Sequence, residues 1–149
     1  MMIELKNTKS LAALIVGCLF LFSGCSKEPS SITSEPFKDI VGSWKVVKLI
    51  RNEEDLSSRV NFANFRMVFK EDGTYTLIDK MAFVVMKPGT YQLDDPQYPF
   101  FLNLKAEGVT EINKIKLSLP ITAGKRQITL TMSPGCSSNS YKYTFEKVQ

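Results

Sequence analysis

The sequence predicts an all-β domain, an antiparallel up-and-down eight-stranded barrel, following an N-terminal lipoprotein signal peptide. Three observations predict it. About eight short apolar runs follow one another at ten- to thirteen-residue spacing, with turn residues between them. Each run alternates apolar and polar residues, so each sheet buries one face and wets the other. No helical pattern longer than two turns interrupts the series, and no longer repeat suggests a propeller or solenoid.

The chain opens with Lys6 and Lys9, then an uncharged apolar run from Leu11 to Phe22, then Ser23-Gly24-Cys25. The run is shorter than the ~20 residues a membrane-spanning helix needs. A charged head, an apolar middle and small residues at the end form the layout of a secretory signal. A cysteine directly after the small residues resembles the lipobox of bacterial lipoproteins, with Phe22 where Leu is commonest. That resemblance implies cleavage before Cys25 and acylation of its thiol. Ile15-Val16-Gly17-Cys18 is a rival lipobox, but cleavage there would leave Leu19 to Phe22 exposed on the mature N-terminus. The expected divisions are a signal peptide over 1–24, a tether over 25–36 and a barrel over 37–149. One acyl chain holds a protein only marginally, whereas several hold it for its lifetime. Acylated Cys25 therefore makes a membrane the first expected partner, and the expected location is the outer membrane, facing the periplasm or the cell surface. Ser26-Lys27-Glu28-Pro29 partly resembles the export signal of surface lipoproteins of Bacteroidetes.

Removing 1–24 leaves 17 basic and 14 acidic residues, a formal charge of +3. Charges of both signs are interleaved, which argues for a solvated surface and against a nucleic-acid partner. Only Cys136 remains besides Cys25 once Cys18 has left with the signal, so no disulfide can staple the mature domain. Cys136 lies in a turn-like loop with nothing nearby that would lower its pKa.

Ser26 to Pro36 is Ser, Pro and charge, too polar to order itself. Ser43 to Ile50 is β-branched and apolar, a first strand. Asn52 could cap a short helix within Arg51 to Val60, with Glu53, Glu54 and Asp55 in its first turn; an irregular lid is the alternative. Phe65, Met67 and Phe69 alternate with polar residues, and Asp72-Gly73 turns the chain into Thr74 to Ile78, a strong hairpin pattern. Met81 to Met86 is apolar, and Lys87-Pro88-Gly89 turns it into Thr90 to Leu93. Asp94 to Pro99 is a loop before the strand Phe100 to Leu104. Ile112 to Leu119, Gln127 to Met132 and Tyr141 to Glu146 complete the series, with Ala123-Gly124-Lys125 as a further turn.

Gly42-Ser43-Trp44 at the start of the first strand, with about eight up-and-down strands behind it, resembles the lipocalin superfamily. Closer still are small lipocalin-like lipoproteins of Bacteroidetes, which share the lipobox, linker, Gly-x-Trp start, Asp-Gly hairpin and a last strand rich in Tyr, Thr and Phe. The likeness runs from Ile40 to Val148. It implies a lipocalin-like barrel with Trp44 plugging its base. Lipocalins proper also carry a Thr-Asp-Tyr turn and an Arg near the last strand that packs on the Trp. Here that turn is missing, and the last strand offers Lys142 and Lys147.

The chain has no histidine, which removes His-based triads and the commonest metal ligand. The acids cluster in turns, where neighbouring carboxylates such as Asp94-Asp95 do not by themselves make a catalytic pair or calcium site. No glycine-rich phosphate loop occurs. No cofactor and no enzyme activity are expected. What remains is apolar enclosure, because an eight-stranded barrel either fills its interior or holds one small ligand. A small apolar or amphipathic molecule would meet Trp44, Phe65, Met67, Phe69, Tyr75, Leu77, Tyr91, Leu102, Leu130 and Tyr143. Phe100, Leu104, Leu117 and Phe145 are further inward candidates, and Arg51 to Val60 would be the lid. The competing expectation is a solidly packed barrel that docks an envelope protein. Its patch would be Met81 to Met86 together with Tyr98, Phe100 and Phe101.

Overall fold

The computed structural model describes residues 34–79, 85–136 and 138–149. The expected signal segment, Cys25, most of the tether and Met81 to Val84 lie outside the described residues. Glu35–Gln149 is one compact unit.

Every regular element among the described residues is a strand. In chain order they are β1 (Gly42–Arg51), β2 (Glu54–Asp55), β3 (Arg66–Phe69), β4 (Thr74–Ile78), β5 (Gly89–Leu93), β6 (Phe101–Ala106), β7 (Asn113–Ser118), β8 (Ile121–Thr122), β9 (Lys125–Met132) and β10 (Tyr141–Lys147). Eight of them form a closed antiparallel barrel in the order β10-β1-β3-β4-β5-β6-β7-β9, closed by pairing of β9 with β10. Closure removes the exposed sheet edges that invite aggregation. The two-residue strands β2 and β8 are additions to β1 and β9.

The up-and-down course gives the barrel two ends. The base holds the start of β1, the β3–β4 turn, the β5–β6 loop, the β8–β9 turn and the end of β10. The far end holds the connections after β1, β4, β6 and β9.

The helix considered for Arg51 to Val60 does not form. Asn52 and Glu53 take left-handed backbone angles, φ 47° and 71°, with Arg51 opposite Glu54. Two successive positive φ values make the tight turn that matches strand twist in a hairpin. Asn52 therefore caps no helix. Its backbone N–H donates to Ser140 O (2.9 Å) and its Oδ1 accepts from Ser140 N (2.8 Å), which ties the hairpin to the β9–β10 loop. Beyond the hairpin, Leu56, Val60 and Phe62 pack against the core. Two bonds hold this segment to β1: Leu56 N–H to Leu49 O, and Leu49 N–H to Ser57 Oγ.

The Asp72-Gly73 hairpin forms as expected. Gly73 takes φ +77°, and Asp72 Oδ1 accepts from both the N–H and the hydroxyl of Thr74. The β8–β9 turn likewise places Ala123 and Gly124 at positive φ.

The buried apolar side chains form one cluster running from Ile40 to Phe145. Two expectations of sidedness fail. Phe100 points to solvent, 67% exposed, because the regular strand begins at Phe101. Asp94 Oδ1 accepts from the N–H groups of Phe100 and Phe101 (2.9 Å each), holding the bend at that point. Gln127 and Thr129, expected on the wet face of β9, are buried. Gln127 Nε2 donates to Glu146 Oε1 and its Oε1 accepts from Thr122, while Thr129 shares a hydroxyl bond with Thr144. Cross-strand partners satisfy these groups, which makes their burial tolerable.

Candidate functional site

The sequence singled out ten side chains for the barrel interior, and the structure gathers all ten there. Trp44, Phe65, Met67, Phe69, Tyr75, Leu102, Leu130 and Tyr143 are buried in the cluster, with Leu77 and Tyr91 partly buried against it. Register explains the grouping. Trp44 lies opposite Met67, Met67 opposite Leu77, Phe69 opposite Tyr75, and Leu130 opposite Tyr143, each pair on one face of its ladder. Phe69 and Tyr91 meet edge to face at 4.7 Å, a favoured aromatic geometry.

Trp44 closes the base. Its indole N–H donates to Ile40 O (2.8 Å), so the segment before β1 folds beneath the ring. Lys147, its register partner on β10, places Nζ 5.9 Å from the ring centroid. The last strand thus supplies a cation over the tryptophan as a lysine. Gly42 is required by its φ of +127°, which suits only glycine; a Cβ there would lie 2.5 Å from Lys147 Cε, the flexible end of a side chain that can move aside.

Among the described residues, Tyr75 carries the buried side-chain polar atom that has no partner. The residue is 0% exposed, and its hydroxyl has no hydrogen-bond partner. Burial alone pushes its pKa up to about 12. Tyr91 and Tyr143 are also raised, chiefly by burial, but the Tyr91 hydroxyl donates to Lys70 O (2.9 Å). A buried hydroxyl without a partner costs roughly 1–3 kcal/mol. Tyr75 also lines an open, mainly apolar cleft of about 640 Å³ between β4 and the β5–β6 pair, with Pro88, Ala106 and Val109. Thr74 and Tyr75 are the β4 residues that pair with β5. Gly89 stands opposite Tyr75, and a Cβ there would overlap Lys105 O and approach Ala106 Cα to 2.9 Å. The missing side chain lets β5 and β6 close up beside the tyrosine. The sequence marked Gly89 as a turn residue only and did not pick out Ala106 or Val109; no local pattern announces that strand approach.

The turn acids serve the backbone. Asp94 is held below the usual carboxylate range chiefly by the Phe101 N–H, and Asp72 and Asp55 chiefly by side-chain bonds from Thr74 and Ser57. Among the described residues no group of three or more His, Cys, Asp or Glu side chains is placed to hold a metal ion. Cys136 differs from the expectation for its loop. It is exposed, its Sγ lies 2.9 Å from Ser138 Oγ, and the Ser138 hydroxyl followed by the Ser138 backbone lowers its pKa.

The family model described as a domain of unknown function, DUF5004, matches residues 23–146. No curated protein matches the chain. No solved structure matches it either. The closed eight-stranded barrel is compatible with a lipocalin-like fold. With the match running from just before Cys25 through nearly all of β10, the chain belongs to the DUF5004 family.

Proposed function

We propose that this protein is a non-enzymatic lipoprotein, acylated at Cys25 and held to the outer membrane, whose barrel binds a small apolar or amphipathic molecule. The observation that carries the binding reading is the Tyr75 hydroxyl, buried without a partner in a residue that lines an apolar cleft. A ligand with an apolar body and one hydrogen-bond acceptor would satisfy it once the cleft opens onto the hydroxyl, which is fully buried in the unliganded barrel. The ten interior side chains pack on one another, so the cleft beside Tyr75 suits such a ligand better than the barrel axis. The test is native mass spectrometry of the detergent-extracted protein after incubation with a lipid extract of its own membrane. A bound species lost in Tyr75→Phe supports the reading; a spectrum with protein alone overturns it. Anchoring is read separately by palmitate labelling, which Cys25→Ser should abolish.

A second reading has its own observation. Tyr98 and Phe100 stand 58% and 67% exposed on the β5–β6 loop at the base. Such aromatics fit an envelope-protein contact. Crosslinking in intact cells that persists in Tyr98→Ser/Phe100→Ser would sink this alternative.

A further inference from the structure

We propose that one side of the barrel base is a docking face for an anionic lipid bilayer, formed by Lys45, Lys125, Arg126 and Lys147. These four side chains line a concavity of about 730 Å³ around Trp44, where β1, β9 and β10 meet. None of the four has an ion-pair partner among the described residues. The two acidic side chains in the same concavity are engaged with the protein. Asp39 Oδ1 accepts from Val41 N–H (2.7 Å) and Glu146 Oε1 from the Gln127 amide (2.9 Å). The side-chain charges there sum to +2. Ile121, 67% exposed, lies in register with Arg126 at the rim, and Val148 is exposed beside Lys147. An apolar residue among unpaired cations suits an interface of headgroup phosphates over acyl chains.

Chain length adds an independent argument. The described unit starts at Glu35, whose carbonyl accepts from Gln97 on the β5–β6 loop at the base. Glu35 lies ten Cα steps after Cys25, and an extended chain covers at most ~3.3–3.6 Å per step. An acylated Cys25 therefore keeps the base within roughly 35 Å of the bilayer. The acids at the same end, Glu71, Asp72, Asp94 and Asp95, sit on the β3–β4 and β5–β6 connections rather than around this concavity. The barrel would thus meet the membrane tilted toward the β8–β9 turn.

The proposal rests on the anchored-lipoprotein reading for the nearness of a membrane, but the test does not. The Glu35–Gln149 unit holds the closed barrel and its core, so it is used without the anchor. It is mixed with vesicles of phosphatidylcholine alone, or with about one-third phosphatidylglycerol. Partition into the anionic vesicles only, and its loss as salt is raised, supports docking. Each basic side chain near an anionic surface strengthens attachment about fivefold, so Lys125→Gln/Arg126→Gln should weaken binding roughly 25-fold. Both side chains are exposed at a turn, and an unchanged unfolding curve shows that the fold survives. Lys87→Gln/Lys142→Gln, exposed lysines away from the base, should bind as the parent does. Equal partition into both vesicles, no partition, or equal weakening by the two pairs overturns the proposal. Saturable binding of inorganic phosphate without vesicle binding also overturns it, because the concavity would then hold a soluble anion. Failure of the lipoprotein reading shows instead as a parent protein that takes up no palmitate, or as labelling that persists in Cys25→Ser.

Discussion

Single residues decide how tightly this barrel closes. Gly89 is the clearest case, because its Cα faces the β6 backbone with no room for a methyl group. Gly89→Ala should cost about 2 kcal/mol or more, read in urea unfolding, since backbone on the far side cannot yield as a side-chain tip can. Gly42 meets the flexible end of Lys147 instead, so its cost comes from φ rather than from the clash. Tyr75 gives a prediction whose sign depends on occupancy. In ligand-free protein, Tyr75→Phe removes an unpartnered buried hydroxyl and should leave stability unchanged or raise it by about 1 kcal/mol. With a bound acceptor the same change should destabilise. Parent tyrosine also sets an alkaline limit. Its pKa, raised in the folded state to about 12 from 10.0, means a stability contribution that is fully present below pH 10.0 and lost as pH rises toward 12. Tyr75→Phe should flatten the fall in unfolding free energy across that window.

At the scale of elements, turn chemistry was readable and sidedness less so. Asp72-Gly73 announced its hairpin because the glycine supplies the positive φ and the aspartate bonds the returning strand. Asn52-Glu53 turns on two successive positive φ values, with a glutamate at the second position that no turn rule favours. The three acids after Asn52 look like a helix start, and only pairing with β1 reveals the ribbon. The conflict is measurable. Glu53→Gly should stabilise the barrel by roughly 1 kcal/mol, seen as a higher urea midpoint with unchanged slope, because glycine accepts φ near 71° without a steric penalty. Phe100 misled for a different reason. Composition gave it to the strand, but the Asp94 carboxylate holds the bend one residue later than the apolar run implies. Gln127 and Thr129 were polar and so read as wet; their burial depends on partners in β8 and β10 that local pattern does not reveal.

For the whole molecule, the eight-stranded closure was legible because spacing and alternation persisted along the chain, and the closing β9–β10 pair joins consecutive barrel strands. The interior residues were legible too, since period two fixes which face each side chain takes. The cleft beside Tyr75 was not, because it depends on how far β4 stays paired with β5. Stability against acid belongs to this scale as well. Asp55 at the far end and Asp72 and Asp94 at the base all have depressed pKa values in the folded state. Their contribution is present above the ordinary carboxylate value of 3.8 and lost as pH falls through the lower folded values. Thermal unfolding should therefore shift downward below about pH 4, and Asp94→Asn should lessen that pH dependence.

The barrel has its first and last described strands side by side at one end: Val148 N–H donates to Ser43 O, and Gln149 follows within the basic concavity. That places a practical constraint on anyone who labels this protein. A fluorescent fusion appended after Gln149 would emerge beside Trp44 and crowd the surface argued to face lipid. The connection after β9 is the better graft point, since Gly135 has open space around its Cβ position at the opposite end and lies outside the cleft beside Tyr75. Comparing the two labelled forms would report which end of the barrel is shielded in the cell.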